Sequence, residues 1–355
     1  MTEREALFEA LDAERERRPA MQETDAVKYL FQAMCGMGHL LGSGEAVSSR
    51  LRAEMASLPP LEGEALAEPI GADWFRLNLR PACELGFTPE MIARMMLAAP
   101  PRERRAADRE TVLRACAEWA QRARWKSVEE TAQKLLEEDW LPSHSPAYRA
   151  AYQPAYRVLD AAWLPCLPAL CRALEAARHA QRCLVTLDGP CAGGKTTLAA
   201  RLAAALGAQT LHTDDFVVPH AAKTAQRLAQ PGGNCDWERL TEETLRPWLK
   251  TGEAEARRYS CSQDAFLAPE KLRDGRWLLL EGSYSGLPAI RELADVRLFL
   301  WAPEETRMRR LREREIPASM KRFEQLWIPL EEAYFRVYGL PDEGSLIIKE
   351  ESAWS

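Results

Sequence analysis

Residues Gly189 to Thr196 read Gly-Pro-Cys-Ala-Gly-Gly-Lys-Thr, a complete G-x-x-x-x-G-K-[ST] motif, and no other stretch restricts the chain so tightly. The run before it, Cys183-Leu184-Val185-Thr186-Leu187-Asp188, is short, apolar and β-branched, the pattern of a buried parallel strand. The run after it spaces Leu198, Leu202 and Leu206 four residues apart among alanines and ends at Gly207, the pattern of a helix with a glycine C-cap. Strand, glycine turn and helix N-terminus together aim backbone N–H groups at one point, a cradle for a polyphosphate. Gly189, Cys191, Ala192, Gly193, Gly194, Lys195, Thr196 and Thr197 are therefore the expected nucleotide-binding residues. Lys195 would reach the β- and γ-phosphates and the Thr196 hydroxyl would ligate Mg2+. A chance match in a glycine turn is the competing reading, and the flanking strand and helix patterns speak against it.

At 355 residues the chain has room for about two domains. A net charge of −6 argues against a surface that coats nucleic acid. The first twenty residues are charged throughout and no run of eighteen apolar residues occurs, so neither a signal peptide nor a membrane span is expected. Nine cysteines without any C-x-x-C pair suggest neither a disulfide framework nor a zinc site. The cytosol is the simplest location, and a homo-oligomer is left open.

The texture of the chain changes near residue 178. Residues 1–178 read as a mostly helical domain with few strand candidates. Met1–Arg18 carries Leu7, Ala10 and Leu11 on one face, and Thr88-Pro89-Glu90 opens a second helix that ends near Ala99. Arg104 to about Glu138 reads as one broken helix or two, and loops rich in Pro and Gly fall at 57–71 and 141–146. Residues 179–355 alternate short apolar strands with helices. Strands are expected at 183–187, 209–212, 277–281 and 296–301, with a further candidate at 345–348. Such alternation implies βαβ units, an α/β fold of P-loop kinase type with a parallel sheet flanked by helices. The segment Leu167–Ala180 could belong to either half.

Three later features bear on what happens to a bound triphosphate. Leu211-His212-Thr213-Asp214-Asp215-Phe216 ends the second expected strand, where ligands of open α/β sheets bind. A carboxylate there can take a proton from an attacking hydroxyl or help to hold a metal, against the plainer reading of a solvated acidic turn. Trp277-Leu278-Leu279-Leu280-Glu281-Gly282 is a buried strand ending in an acid, which puts Glu281 beside Mg2+ or its water shell. Arg307, Arg309, Arg310, Arg312 and Arg314 lie in a helix opened by Pro303, where they could close over the phosphates as a lid. Glu304, Glu305, Glu313 and Glu315 could instead pair them as an ordinary solvated face. Arg310 and Arg314 are the catalytic candidates.

The set Asp188 to Thr197, His212-Thr213-Asp214-Asp215-Phe216 and Leu280-Glu281-Gly282-Ser283-Tyr284 resembles the uridine kinase branch of P-loop kinases, with its nicotinamide riboside kinase relatives. The resemblance covers about residues 182–350. It implies an ATP- and Mg2+-dependent kinase whose acceptor is a small hydroxyl-bearing molecule, a nucleoside by preference. By position it makes Asp214 the general base, leaving Asp215 as a substrate or metal contact and Phe216 as a substrate contact. Pro231-Gly232-Gly233-Asn234-Cys235-Asp236-Trp237 resembles the family's acceptor-holding segment, which implies Asp236 and Trp237 as contacts, and Arg258-Tyr259 falls where the family adds more. Lys321-Arg322-Phe323 through Trp327-Ile328-Pro329-Leu330-Glu331 also matches uridine-kinase-like bacterial proteins. No counterpart of the aromatic and His contacts to a pyrimidine base is evident, so the base stays open.

The first half resembles no family of known activity. Its distinctive residues are Gly36-Met37-Gly38-His39, Arg76, His144 and the run Tyr148 to Arg157. They could form an anion or nucleotide pocket. The plainer reading has His39 capping a helix and the Tyr/Arg run packing an interface. Two rivals to the kinase remain: a nucleotide-sensing or hydrolysing module controlling the first half, or a bifunctional enzyme with separate chemistry there.

Overall fold

The chain divides between Leu164 and Pro165, ahead of the boundary expected near residue 178. The computed structural model describes residues 2–36, 44–61, 63–98, 109–137 and 142–349. Helix α1 (Leu167–Ala176) explains the earlier boundary. Its buried stripe of Leu167, Ala169, Leu170, Ala173 and Leu174 packs on strands of the second unit.

That unit is built on five parallel strands: β1 (Cys183–Asp188), β2 (Gln209–His212), β3 (Trp277–Glu281), β4 (Val296–Trp301) and β5 (Ser345–Lys349). Their order is β5-β4-β1-β3-β2, so the strand feeding the glycine loop is central and β3 lies beside it. Every residue of β1 and β3 is buried, which is why both read as mostly apolar runs, each ending in an acid. Leu184, Leu278 and Leu280 join Phe216, Leu240, Trp248 and Tyr334 in one core. Strand alternation sends Val185, Leu187 and Leu279 to the other face, where α1 and α2 (Lys195–Leu206) pack on the sheet and on each other. Within α2, Leu198 and Leu202 are fully buried, each worth about 2 kcal/mol of apolar burial. Gly207 closes that helix in the left-handed conformation. The α/β architecture of the second half is therefore the one its sequence pattern implied. No helix among the described residues is long and apolar enough to cross a membrane.

The first unit is mostly helical, with helices at Glu3–Arg17, Glu23–Cys35, Gly44–Ser57, Pro89–Leu97, Arg109–Arg122 and Ser127–Glu137 among others. Thr88 caps its helix by accepting from Met91 N at 3.2 Å. The unit also holds an antiparallel sheet of Ala67–Pro69, Trp74–Asn78 and Tyr156–Asp160, which sequence pattern did not suggest. The reason is burial on both faces. All five residues of Trp74–Asn78 are buried, Arg76 and Asn78 included, so no polar–apolar alternation marks the strand.

Arg76, His144, Tyr148 and Tyr156, far apart in sequence, meet in the interior of this unit. Arg76 is 2% exposed and donates to Glu14 at 2.6 Å, with its guanidinium over the rings of Tyr29 and Tyr156. The Asp25 carboxylate pairs with His144 Nδ1 at 2.9 Å and accepts from Ser145 N and Oγ at 3.0 and 2.6 Å. His144 Nε2 lies 2.7 Å from the Tyr156 hydroxyl. Met37, Gly38 and His39 lie outside the described residues.

Burial pushes the His144 imidazole down to about 4 against the opposing hydrogen bond to Asp25, and the cations Lys28 and Arg76 add to the fall. The folded ring therefore stays neutral where an unfolded one, near 6.5, takes up a proton. Its contribution to stability is complete above pH 6.5 and is lost as pH falls from there toward 4. Thermal melts of the full chain should lose stability over that window more steeply with His144 present than in His144→Gln. Parallel pH profiles would remove this ring as the cause.

Candidate active site

The loop between β1 and α2 adopts a conformation that its glycines make accessible. Gly189 has φ of 141°, and a Cβ there would lie 2.3 Å from the Leu300 carbonyl oxygen, so no side chain fits. Gly194 caps α2 in the left-handed region at φ 94°. Ala192 is held at φ 56°, a strained value for a residue with a Cβ and one expected where a loop is shaped for binding. Lys195 is 9% exposed. Its ammonium folds back over the loop and donates to Gly189 O at 2.7 Å, Pro190 O at 3.1 Å and Ser283 Oγ at 3.4 Å.

A cleft of about 1030 Å3 opens above this loop. Residues 191–197 form its floor, and Asp214, Glu281, Ser283, Arg310, Arg314 and Glu331 share its walls. The structure thus brings Lys195, Thr196, Asp214, Glu281 and both arginine candidates into one cavity. Asp214 is exposed to the cleft and has no hydrogen-bond or ion-pair partner among the described residues. Desolvation by the walls raises its carboxyl above the ordinary range, Lys195 opposes the rise, and Glu281 and Asp215 reinforce it. Such an acid is poised to accept a proton.

The Thr196 hydroxyl donates to Glu281 Oε1 at 3.2 Å, and the same oxygen pairs with His212 Nδ1 at 2.6 Å. That hydrogen bond to Glu281 is the main reason the His212 imidazole is shifted upward. No cluster of three or more acidic, His or Cys side chains able to hold a metal occurs among the described residues. One hydroxyl plus one carboxylate still fits Mg2+, which keeps several waters and takes its remaining oxygens from substrate phosphates.

Helix α3 (Glu304–Arg314) runs above the loop. Arg310 Nη1 reaches Ala192 O at 3.4 Å, and Arg314 pairs with Glu315 while lying over the Phe323 ring. Arg307, one turn before Arg310, has a buried Nε with no hydrogen-bond partner and a charge felt by the Cys191 thiol. Three arginines at i, i+3 and i+7 therefore share one face of α3.

The expected acceptor contacts lie elsewhere. Phe216 is fully buried in the core beneath Arg239, and Trp237 packs at the edge of that core. Asp236 is committed to Arg239, which it meets at 2.8 Å, and to capping a short helix. Arg258 pairs with Glu270 at 3.1 Å, and the Tyr259 hydroxyl is bonded to Asp264 and to His220 N. Neither these residues nor Asp215 line the cleft, whose corresponding wall is Val217, His220, Lys223, Asn234, Cys261 and Ser262. His212, Ser283 and Glu331 are site residues that sequence reasoning did not select. All three stood inside quoted motifs, but no local signal marked any of them as a site residue.

Glu331 and Tyr334 lie one turn apart on helix α4 (Ile328–Tyr338), and both meet the loop. Glu331 accepts from Cys191 N through both carboxylate oxygens at 2.9 Å. The Tyr334 hydroxyl donates to Asp188 Oδ2 at 2.6 Å. Asp188 also accepts from Gly189 N at 2.7 Å and Gly286 N at 2.8 Å. Burial raises the Asp188 carboxyl to about 6 despite these donors, so it is mostly ionised at neutral pH.

No protein-family model matches the chain, and no curated protein matches it. Solved structures similar to it include a possible uridine kinase from Bacillus stearothermophilus, 19% identical with a TM-score of 0.41, the match spanning 53% of this chain and 99% of the other. Another is a protein from Silicibacter sp. TM1040 described as a proposed fructose transport system kinase, at 25% identity and a TM-score of 0.40, spanning 51% and 98%. The sheet order and glycine loop of the second unit are those of a P-loop α/β fold.

Tyr334→Phe leaves a buried, largely charged acceptor one donor short, which should cost about 1.5–3 kcal/mol. Chemical denaturation at pH 7.5 measures it. A loss below about 0.5 kcal/mol, the scale of an ordinary surface substitution, would show that the Tyr334 bond contributes little.

Proposed function

We propose that the second unit is an ATP- and Mg2+-dependent phosphotransferase acting on a hydroxyl of a small molecule, with a nucleoside as first choice of acceptor. The observation that carries this reading is the partnerless carboxyl of Asp214, raised in pKa, in the same cleft as the phosphate loop and Lys195. A module that only sensed nucleotide would have no use for a free base at that point.

On this reading the amides of 191–197 and Lys195 hold the triphosphate. Mg2+, held by Thr196 with Glu281 nearby, would neutralise charge on the β- and γ-phosphates. Asp214 orients the acceptor hydroxyl and takes its proton as the oxygen attacks the γ-phosphorus. The bond from that phosphorus to the bridging oxygen breaks, and ADP leaves. Arg310 and Arg314 stabilise the charge spread over the moving phosphoryl. Guanine-specific donor motifs are not evident in the sequence, so ATP is the expected donor.

ADP release measured with and without a panel of nucleosides and sugars tests the reading. Acceptor-dependent turnover is expected, with Lys195→Ala and Asp214→Asn each about a hundredfold or more slower. Asp214→Asn should keep its affinity for ATP, because its work is on the acceptor. Turnover indifferent to every acceptor would favour a nucleotide-hydrolysing regulator instead. Full activity in purified Asp214→Asn would remove the base assignment.

A further inference from the structure

The loop amide of Cys191 is already taken. A phosphate cradle works by offering unpaired N–H groups to anionic oxygens, and here one of those groups is held by an anion belonging to the chain itself. Glu331 is 4% exposed, and both of its oxygens lie 2.9 Å from Cys191 N. The Ser283 hydroxyl donates to the same carboxylate. Ser283 Oγ in turn is the third contact of the Lys195 ammonium, at 3.4 Å. Glu331 is therefore one hydroxyl away from the cation expected to hold the terminal phosphates.

We propose that Glu331 is an internal competitor for the nucleotide, a gate whose carboxylate occupies the loop until a phosphoryl oxygen displaces it from Cys191 and Ser283. The inference rests on the cleft being a nucleoside triphosphate site. Two anions cannot share the same N–H and hydroxyl at contact distance, since like charges in a partly dry cleft repel strongly. Nucleotide binding must therefore break the Glu331 contacts and carry the cost of doing so.

The helix bearing Glu331 is suited to such a movement. Residues 317–338 form one continuous run that begins shortly after α3, with a π-helical segment at Phe323–Trp327. A wider turn of that kind often marks a functional site. Arg322, Phe323, Trp327 and Glu331 all line the cleft, so one face of the run carries both the gate and a further cation. Tyr334 stays pinned to Asp188 beyond it. Release of Glu331 would free the segment between α3 and that pin, coupling the loading of the loop to the position of the arginines.

The sign of one measurement separates this gate from a clamp that merely steadies the loop. Binding of Mg2+·ATP, and separately of inorganic tripolyphosphate, to the full chain is measured calorimetrically for wild type, Glu331→Gln and Glu331→Ala, with thermal melts to verify folding. Removing a competitor should tighten both ligands, by about tenfold or more. Glu331→Asp, which keeps the charge on a shorter stem, should fall between. Unchanged or weaker binding in folded Glu331→Gln and Glu331→Ala overturns the gate and makes Glu331 a structural clamp. Tightening for ATP without tightening for tripolyphosphate also overturns it, since the competition would then not be for phosphate. If wild type and both variants are folded and none binds ATP or GTP, the nucleotide reading itself fails and the gate goes with it.

Discussion

A single buried carboxylate holds the candidate site together. Asp188 ends the central strand, starts the glycine loop through Gly189, reaches the segment after β3 through Gly286, and anchors α4 through Tyr334. An acid in that position loses its hydration and is tolerated because three donors and the nearby Lys195 charge compensate it. Its shift to about 6 records how incomplete that compensation is. The same three segments are also tied by Glu331, which accepts from Cys191 N and Ser283 Oγ, by Lys195, which donates to Ser283 Oγ, and by the Tyr284–Tyr334 ring contact. The position of Lys195, of Ser283 and of Glu331 all follow from them.

Around that anchor the cleft distributes charge unevenly. Asp214 and Glu281 face the loop from the strand ends, and Glu331 reaches in from the opposite helix. Lys195 sits among them, with Arg310, Arg314 and Arg322 along the closing side. A polyphosphate with Mg2+ suits the middle of this arrangement, because it brings negative charge to the arginines and positive charge to the acids. The partners already made differ in kind. Glu281 is shared between Thr196 and His212, Glu331 is seated on a loop amide, and Asp214 is left open to the cleft.

The first unit uses buried polarity for another end. Glu14, Asp25, Arg76, His144 and Tyr148 lie inside an otherwise apolar core, each tied to others by hydrogen bonds or ring contacts. Such a network is costly if any member is removed, and it selects one arrangement of the helices over others of similar apolar content. Sequence reading picked out Arg76, His144 and the tyrosine run as unusual. It could not say that they converge, because the strand carrying Arg76 and the strand carrying Tyr156 pair across a long loop of chain.

Local pattern decided the parallel strands, the phosphate loop, the helix after it and the arginine helix. Each of these is specified by residues adjacent in sequence: apolar runs, glycine conformations, leucine spacing and an opening proline. That Asp214 and Glu281 share one cleft with the loop was legible too, because strand ends in this fold converge on one edge. What sequence could not reach was every relation that depends on distant segments meeting. The Tyr259 hydroxyl accepts from His220 N, thirty-nine residues earlier in the chain, while Asp236 and Arg258 are taken by nearer partners, Arg239 and Glu270. Glu331 looks like one acid of a helical pair, yet tertiary packing sets its carboxylate on the loop amide of Cys191. Short-range sterics and periodicity are written along the chain, whereas the pairing of charges is decided by which surfaces the hydrophobic core presses together.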